Sequence, residues 1–166
     1  MKKIGFLLIL LLALSSNMEA QKSPNSVANG TIDKVDIEIK YCAPSVRGRT
    51  VWGGLEKYGK VWRAGANENT TVSFSEKVMI DGKELAAGKY GFFIIPNKKG
   101  DWVAIFSKTN DQWGAYSYKQ SDDALRVNIT PSYIKNIQEQ LEYSVGKKSI
   151  NFSWEYINLS IPISTK

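Results

Sequence analysis

Hydrophobic and polar residues alternate along most of the chain, which is the pattern of half-buried β-strands. The first clear case begins at Lys34, where Val35, Ile37, Ile39 and Tyr41 fall on one face and charged residues on the other. The same period returns over 72–80, 125–129, 150–156 and 159–163. The apolar faces of these segments predict one hydrophobic core between layers of β-structure.

Turn signals separate the segments. Asp81-Gly82 predicts a tight hairpin, and the continuous apolar run 90–96 predicts a strand that is covered on both faces. Residues 132–142 fit either the start of a helix or a strand; we predict a strand from about residue 138, with at most one helical turn before it. About nine or ten short strands result. They predict an antiparallel β-sandwich, jelly-roll or immunoglobulin-like, with a closed β-barrel as the alternative.

The stretch 41–74 interrupts the alternation. It begins and ends like a strand, but its middle is rich in Gly, Arg and Trp, and it holds three of the chain's four arginines. Connections of this length inside a compact domain are either functional or disordered. Disorder does not suit two tryptophans and a tyrosine, because their large apolar areas favour burial. We therefore predict an ordered loop across one face or end of the sandwich.

The N-terminus has the pattern of a secretory signal peptide: two lysines, an apolar run over 4–14 and a small residue at Ala20. We predict a signal peptide over 1–20, a flexible lead over 21–30 and a single β-sandwich domain over 31–166. A retained signal anchor is the alternative to cleavage. Export from the cytoplasm is therefore expected, with no transmembrane segment after cleavage.

The amino-acid composition excludes several kinds of catalytic and metal-binding site. The chain has no histidine, which rules out a Ser-His-Asp triad, a Cys-His dyad and histidine-based zinc sites. Its single cysteine, Cys42, cannot form an intramolecular disulfide and is expected to be a small buried residue. The net charge of +6 includes no long basic block, so no nucleic-acid partner is predicted. No cofactor and no metal site are predicted.

Two interpretations of the polar and aromatic residues stay open. In the first they form a binding cleft, with tryptophan faces for a sugar or another ring and placed polar groups beside them. In the second, arginines pair with acidic residues and hold the loop on the sandwich. The candidate ligand-binding residues are Arg49, Trp52, Trp62, Arg63, Asn67, Glu68, Trp113 and Tyr116. The candidate structural ion-pair residues are Asp122, Asp123 and Arg126.

A set of spaced motifs runs through the chain after the predicted signal peptide. The motifs are Tyr41-x-x-Pro44, Gly48-Arg49, Trp52-Gly53, Tyr58-Gly-Lys-Val-Trp-Arg-x-Gly-x-Asn67-Glu68, Gly88-x-Tyr90 with Pro96, Trp113-Gly with Asp122 and Asp123, and Leu125-Arg126. This set resembles a bacterial family of exported proteins, domain of unknown function 2911 (DUF2911), over almost the whole chain after the signal peptide. The resemblance implies an envelope protein with no assigned activity, located in the periplasm or outside the cell of a Gram-negative bacterium. Ala43 stands where the family pattern usually has arginine, so an anion site that used that arginine would be weakened here.

The leading functional hypothesis is a non-catalytic binding or structural module of the bacterial envelope, with a glycan or a protein as partner. The alternative is a hydrolase acting on polysaccharide through paired carboxylates, for example Glu68 with Asp122 or Asp123. The two hypotheses differ in one observable. The hydrolase requires Glu68 and an aspartate to face each other across an open cleft, whereas ion pairs with Arg63 and Arg126 inside the fold would remove those carboxylates from catalysis.

Overall fold

Ten β-strands form the framework of the protein, as seen in a computed structural model that describes residues 22–165. One short 3-10 helix, Gln120–Asp122, precedes the eighth strand. The strands are β1 Asn25–Ile32, β2 Val35–Cys42, β3 Thr71–Phe74, β4 Val78–Ile80, β5 Lys83–Leu85, β6 Gly88–Ile95, β7 Trp102–Ser107, β8 Asp123–Ile129, β9 Ser132–Val145 and β10 Ser149–Ser164.

The strands form two antiparallel sheets. The larger has six strands in the order β1-β2-β3-β6-β7-β8, and the smaller has four in the order β5-β4-β10-β9. The hairpin of β4 and β5 leaves the larger sheet after β3, pairs with β10, and returns the chain to β6. Both sheets are open, so the predicted β-sandwich is confirmed and the closed-barrel alternative is not.

The core lies between the sheets and follows from the alternation. On β2 the residues Val35, Ile37 and Ile39 point inward and are buried, while the intervening charged residues point outward. Antiparallel register then brings inward residues together, as where Phe92 on β6 faces Phe106 on β7. Each fully buried aliphatic or aromatic side chain contributes about 1.5–3 kcal/mol relative to exposure. This burial explains how the chain stands without a disulfide.

Asp81-Gly82 forms the tight hairpin turn that the sequence predicts. The two residues have φ of 51° and 69° and join β4 to β5. Both positive φ angles are the requirement of a type I′ turn, which matches the right-handed twist of the strands it connects.

The N-terminal lead is more regular than the sequence predicts. Residues 21–30 were expected to be loose, yet β1 begins at Asn25 and pairs with β2 from Asn25↔Cys42 to Ile32↔Val35. The hydrogen bonds of a sheet edge stabilise this polar segment without help from a strong hydrophobic pattern. The described residues do not include the predicted signal peptide, 1–20.

One strand begins earlier than the sequence predicts, and one aromatic segment forms a turn. Residues 132–142 contain no helical turn, because β9 extends without interruption from Ser132 to Val145 along β10. The aromatic segment 113–118 is a turn, joined to the flap by an isolated bridge between Glu68 and Trp113. Gly114 takes φ of 65°, a conformation that breaks strand geometry.

The connection between β2 and β3, residues 43–70, is an ordered loop that we call the flap. It is bonded to both sheets. The N–H of Val46 donates to the carbonyl oxygen of Glu139 on β9 (2.8 Å), and Trp62 exchanges two backbone hydrogen bonds with Ile94 on β6 (2.8 and 2.9 Å). Trp62 therefore pairs with β6 beyond the end of β3, on the same side of β6 as β3.

Candidate functional site

Both flap tryptophans belong to the core. Trp62 is 3% exposed, and its ring stacks on Trp154 with centroids 5.6 Å apart. Trp52 meets Trp102 edge to face at 4.6 Å, and its ring also contacts Trp62 and Trp154. Trp62 offers no open face to a sugar in this position. The two indoles anchor the flap, which is the role that their burial dictates.

Arg49 is held within its own turn of the flap. Its Nε donates to the carbonyl oxygen of Val46 (3.0 Å), and its Nη2 donates to that of Ser45 (2.6 Å). These bonds close the bend that follows the contact of the flap with β9. The guanidinium thus has a structural task, although its exposed edge faces solvent.

Five of the predicted ligand-binding residues lie around the turn 113–116. The N–H of Gly114 donates to the carbonyl oxygen of Asn67 (3.0 Å), and Trp113 forms a β-bridge with Glu68. A Cβ atom placed on Gly114 would lie 3.1 Å from the Tyr116 ring and 3.8 Å from Nη1 of Arg63. Glycine therefore lets the turn pack closely between these two side chains.

The turn 113–116 carries two aromatic side chains that are largely exposed to solvent. Trp113 is 59% exposed and Tyr116 is 87% exposed. Beneath them lies Gln112, which is only 9% exposed and whose carbonyl Oε1 accepts a hydrogen bond from Ser117 (2.6 Å). Sequence reasoning missed Gln112, because a glutamine in a polar loop carries no signal that it is buried.

Three buried donors near the turn have no hydrogen-bond partner in the described part of the chain. They are Nε of Arg63, Nδ2 of Asn67 and Nε2 of Gln112. Buried donors normally find an acceptor, because an unsatisfied one costs about 1–3 kcal/mol. The predicted pairing of Arg63 with Glu68 does not occur among the residues described: neither side chain takes part in an ion pair there.

The predicted ion-pair residues lie on the outer face of the larger sheet. Nε of Arg126 is 3.5 Å from Oδ2 of Asp123, which also accepts a hydrogen bond from the hydroxyl of Tyr118 (2.8 Å). Burial raises the pKa of Asp123, while Tyr118 and Arg126 oppose that rise. Burial and the adjacent carboxylate raise the pKa of Tyr118 to about 12. Asp122 accepts a hydrogen bond from the hydroxyl of Thr109 (3.0 Å).

Glu68 does not share a cavity with those aspartates. It lines a groove of about 390 Å³ on the outer face, where Asp111 is the other acidic residue. Cys42 is buried in the same groove, and its thiol donates to Oδ1 of Asn25 at 3.0 Å and lies 3.6 Å from Oε2 of Glu68. Burial raises the pKa of this thiol, which disfavours the reactive thiolate.

The largest described cavity is a cleft at one end of the sandwich, with a volume of about 640 Å³. Its walls come from three turns and one strand irregularity: the flap near Tyr58, the β6–β7 turn, the β8–β9 turn, and the register shift between β9 and β10. We call it the end cleft. Its principal lining residues are Trp52, Tyr58, Asn97, Lys98, Lys99, Asp101, Trp102, Thr130, Tyr133, Ile134, Glu155 and Tyr156.

Three tyrosines give the end cleft its aromatic character. Tyr133 is 81% exposed, and Tyr58 and Tyr156 are also exposed. Tyr133 on β9 pairs with Ile157 on β10, the neighbour of Tyr156 in sequence, and both tyrosines line the cleft. Burial raises the pKa of Tyr58, with Tyr133 and Glu155 as smaller contributors of the same sign. The phenol of Tyr58 is therefore a neutral hydrogen-bonding group at neutral pH.

Charged groups of both signs line the same cleft. Lys98 and Lys99 form no ion pair with any described carboxylate. Asp101 accepts a hydrogen bond from Thr130 (2.6 Å), and Oε1 of Glu155 accepts one from the N–H of Val51 (3.2 Å). The cleft thus offers free ammonium donors together with carboxylate acceptors whose positions are fixed.

Glu155 occupies a strained position. Its φ is 55°, and it lies where the register of β9 and β10 shifts. A bulge of this kind re-aims a side chain, and non-glycine residues in the left-handed region concentrate at functional sites. Glu155 lines the end cleft, and its Oε1 accepts the hydrogen bond from Val51 of the flap.

Glu56 is a second unusual carboxylate. It lies in the flap, where its backbone forms a bridge with Trp52. Burial raises its pKa to about 7, although Arg63 and Arg49 lower it in part. Neither arginine comes within ion-pairing distance of Glu56 in the described structure.

Comparison with known proteins adds a family. Within residues 22–165, no helix is long and apolar enough to span a membrane, and no cluster of three or more potential metal ligands occurs. No curated protein and no solved structure matches the chain. The profile of a family described as "Protein of unknown function (DUF2911)" matches residues 23–163, and the chain therefore belongs to the DUF2911 family.

Proposed function

We propose that this protein is a non-catalytic binding module of the bacterial envelope and that its end cleft holds a carbohydrate chain. The observation that carries the proposal is the grouping of three exposed tyrosines with free lysines and fixed carboxylates around one cavity. Binding sites for small ligands combine apolar or aromatic walls with a few polar groups that set orientation.

The chemistry of the cleft fits a sugar in particular. Tyrosine rings present flat apolar faces to the C–H groups of a pyranose, and their hydroxyls stay hydrated or bond the ligand. Asp101 and Glu155 accept hydrogen bonds from hydroxyl groups, and Lys98 and Lys99 donate to ring or acidic oxygens. A volume of about 640 Å³ accommodates a short oligosaccharide.

Export to the envelope is part of the same proposal. It rests on the lysines, apolar run and small residue of the first 20 positions. Fractionation of the native host, followed by N-terminal sequencing of the mature protein, tests it. A mature chain that begins near Gln21 in the periplasmic or extracellular fraction supports export, and an uncleaved chain in the cytoplasm contradicts it.

Glycan-array screening of the mature protein, followed by calorimetric titration of the best oligosaccharide, tests binding. The double variant Tyr133→Ala/Tyr156→Ala removes two rings of the cleft and is expected to weaken binding at least tenfold, since each tenfold corresponds to about 1.4 kcal/mol. Tyr116→Ala is the matched control, because Tyr116 is exposed but lies outside the cleft.

A second variant pair tests the lysines. Lys98→Ala/Lys99→Ala removes two charges from the cleft, whereas Lys147→Ala/Lys148→Ala removes the same charge from the β9–β10 turn. Only the first pair is expected to weaken binding. The proposal fails if no glycan binds, or if cleft and control variants bind equally well.

A further inference from the structure

The end cleft contains two charged groups that have no partner in the protein, and both are positive. Lys98 and Lys99 line the cleft with exposed side chains. Neither ammonium group forms a hydrogen bond or an ion pair within residues 22–165. Asp101 is only two positions from Lys99 in sequence, yet its carboxylate does not come within 4.0 Å of either ammonium. All donors of both lysines are therefore open to a ligand.

The two carboxylates that line the cleft are engaged within the fold. Oδ1 of Asp101 accepts a hydrogen bond from the hydroxyl of Thr130 (2.6 Å), and Oε1 of Glu155 accepts one from the backbone N–H of Val51 (3.2 Å). Each carboxylate thus has one of its two oxygens occupied by a donor of the protein, whereas the lysines have none of their donors occupied. A ligand in the cleft therefore gains most from negatively charged acceptors, because hydrogen bonds between ionised groups are the stronger ones.

The backbone of the β6–β7 turn, which carries the two lysines, is fixed by hydrogen bonds. Nδ2 of Asn97 donates to the carbonyl oxygen of Asp101 (2.7 Å), and Nε1 of Trp102 donates to the carbonyl oxygen of Asn97 (2.9 Å). Just before the turn, the carbonyl oxygen of Pro96 accepts a bond from the N–H of Gly59 in the flap (2.7 Å). Only the lysine side chains, and not the turn, need to be ordered when a ligand binds.

Other parts of the same cleft wall are aromatic. Tyr58, Tyr133 and Tyr156 line the cleft with exposed rings. Ring faces of this kind pack against the C–H groups of a pyranose, whereas ammonium groups bind anionic oxygens. A sugar that carries an acidic group satisfies both kinds of side chain in one cavity of about 640 Å³.

We propose that the end cleft selects acidic glycans, with sugar rings on the tyrosines and a carboxylate or sulfate group that accepts hydrogen bonds from Lys98 and Lys99. This inference rests on the proposed function and narrows its ligand, since neutral glycans bind more weakly than acidic ones. Lys147 and Lys148 carry the same charge but lie outside the end cleft. The selectivity therefore belongs to the cleft and not to the net charge of the chain.

Three trisaccharide probes test the selectivity: trigalacturonate, its fully methyl-esterified form and a sulfated galactotriose. Each is titrated calorimetrically into the mature protein at low and at high ionic strength. Esterification keeps the pyranose faces and removes the charge, so trigalacturonate is expected to bind about tenfold more tightly than its ester at low ionic strength. Salt is expected to reduce this advantage, because it screens charges at an exposed site.

The sulfated probe separates the two sources of the acidic group. Tight binding of trigalacturonate alone identifies a carboxylate, and tight binding of the sulfated probe alone identifies a sulfate ester. Tight binding of both shows that any anionic oxygen group on the sugar is accepted. Each of these results supports an acidic ligand.

A pair of lysine variants tests which residues read the charge. Lys98→Gln/Lys99→Gln is expected to lower the affinity for the acidic probe about tenfold and to leave the affinity for the ester nearly unchanged. Lys147→Gln/Lys148→Gln removes the same charge from the β9–β10 turn and is the matched control. This control is expected to bind both probes as the parent does.

The tyrosine variant provides a second, different signature. Tyr133→Ala/Tyr156→Ala is expected to weaken binding of trigalacturonate and of its ester alike, because the ring faces contact the sugar in either form. Loss of selectivity in the lysine variant, together with loss of affinity in the tyrosine variant, would separate recognition of the charge from contact with the ring.

Several outcomes would overturn the acidic ligand. Equal affinity for trigalacturonate and its ester, with no binding of the sulfated probe, would show that the charge is not recognised. Unchanged affinity for the acidic probe in Lys98→Gln/Lys99→Gln would show that these lysines do not bind it. If neutral glycans alone bind on the array, this inference fails and the proposed function stands. If no glycan of either kind binds, the proposed function fails as well.

Discussion

The hydroxyl of Tyr143 on β9 donates a 2.7 Å hydrogen bond to the backbone carbonyl oxygen of Ala64 in the flap. Ala64 is fully buried and holds φ of 53°, which costs a non-glycine residue about 1–2 kcal/mol. The hydroxyl of Thr70 donates to the same oxygen at 2.9 Å. Two buried hydroxyls from different parts of the chain thus fix a strained peptide at the centre of the flap.

Because the carbonyl oxygen of Ala64 accepts both hydrogen bonds, we expect that the losses of stability on removing each donor do not add. Tyr143→Phe removes one donor and is expected to lower the free energy of unfolding by about 1 kcal/mol, because the oxygen keeps its bond from Thr70. Tyr143→Phe combined with Thr70→Val leaves a buried carbonyl without either side-chain donor. Urea denaturation of both single variants and the double variant measures the coupling. Losses that add within about 0.3 kcal/mol would show that the two bonds act independently.

Replacement by alanine is expected to lower stability much more at the buried Trp62 than at the exposed Trp113. Trp62→Ala opens a cavity beside the rings of Trp52, Phe152 and Trp154 and is expected to lower the free energy of unfolding by about 3–5 kcal/mol. Trp113→Ala removes a mostly exposed ring and is expected to stay within about 0.5 kcal/mol of the parent. Thermal and urea unfolding compare the two. A larger loss in Trp113→Ala than in Trp62→Ala would contradict the packing described here.

Gly48 and Gly53 both have positive φ angles, but we expect them to differ in how well they tolerate replacement by alanine. A Cβ on Gly53 would lie 2.6 Å from the Tyr58 ring, whereas one on Gly48 would meet nothing within 4 Å. Gly48→Ala is therefore expected to cost only the left-handed conformation, about 1 kcal/mol. Gly53→Ala must in addition displace Tyr58, so it is expected to be less stable than Gly48→Ala and to weaken binding in the end cleft. Equal stability of the two variants would contradict the contact.

Glu56 predicts a dependence of stability on pH. Its pKa in the folded protein, about 7, lies above the ordinary value of 4.5, so the folded state holds the proton more tightly than the unfolded state. The associated stability is complete below about pH 4.5, falls as the pH rises, and is lost above about pH 7. Glu56→Gln mimics the protonated form and removes this loss.

We therefore expect Glu56→Gln to be more stable than the parent at pH 8, by about 2 kcal/mol after allowance for its partial exposure, since tenfold in proton affinity is about 1.4 kcal/mol. Near pH 4.5 the two should unfold at the same urea concentration. Glu76→Gln, at an exposed position outside the flap, is the control for the change of charge. A stability difference that is constant from pH 4.5 to pH 8 would refute burial of the carboxylate.

The sequence was sufficient for the layers of the fold because alternation reports burial directly. Val35, Ile37 and Ile39 are apolar at every second position, and all three are core residues. It was not sufficient for β1, because the polar run from Asn25 gains its order from hydrogen bonds to β2 rather than from its own side chains. Residues 132–142 fit a helix or a strand in sequence for the same reason, since only pairing with β10 selects the strand.

The residues of the candidate sites have burial and neighbours that the sequence pattern does not report. Trp62 and Trp113 look alike in a sequence, but one stacks on Trp154 inside the sandwich and the other stands in solvent. The end cleft could not be seen at all, since Lys98, Tyr133 and Tyr156 meet only after the strands have taken their register. Lysines of a hairpin turn are usually solvated, and nothing local distinguishes these from the pair at 147–148.

The double attachment of the flap has a consequence for the order of folding. The flap contacts β9 and β10 through residues separated by 92 and 104 positions, in the bonds of Arg47 with Glu139 and of Val51 with Glu155. Pairings between such distant residues are entropically costly and are made late. We expect flap substitutions to speed unfolding while leaving the folding rate nearly unchanged. The flap, which helps to line the end cleft, would then be the last segment to form, and its contacts would set the unfolding rate of the native protein.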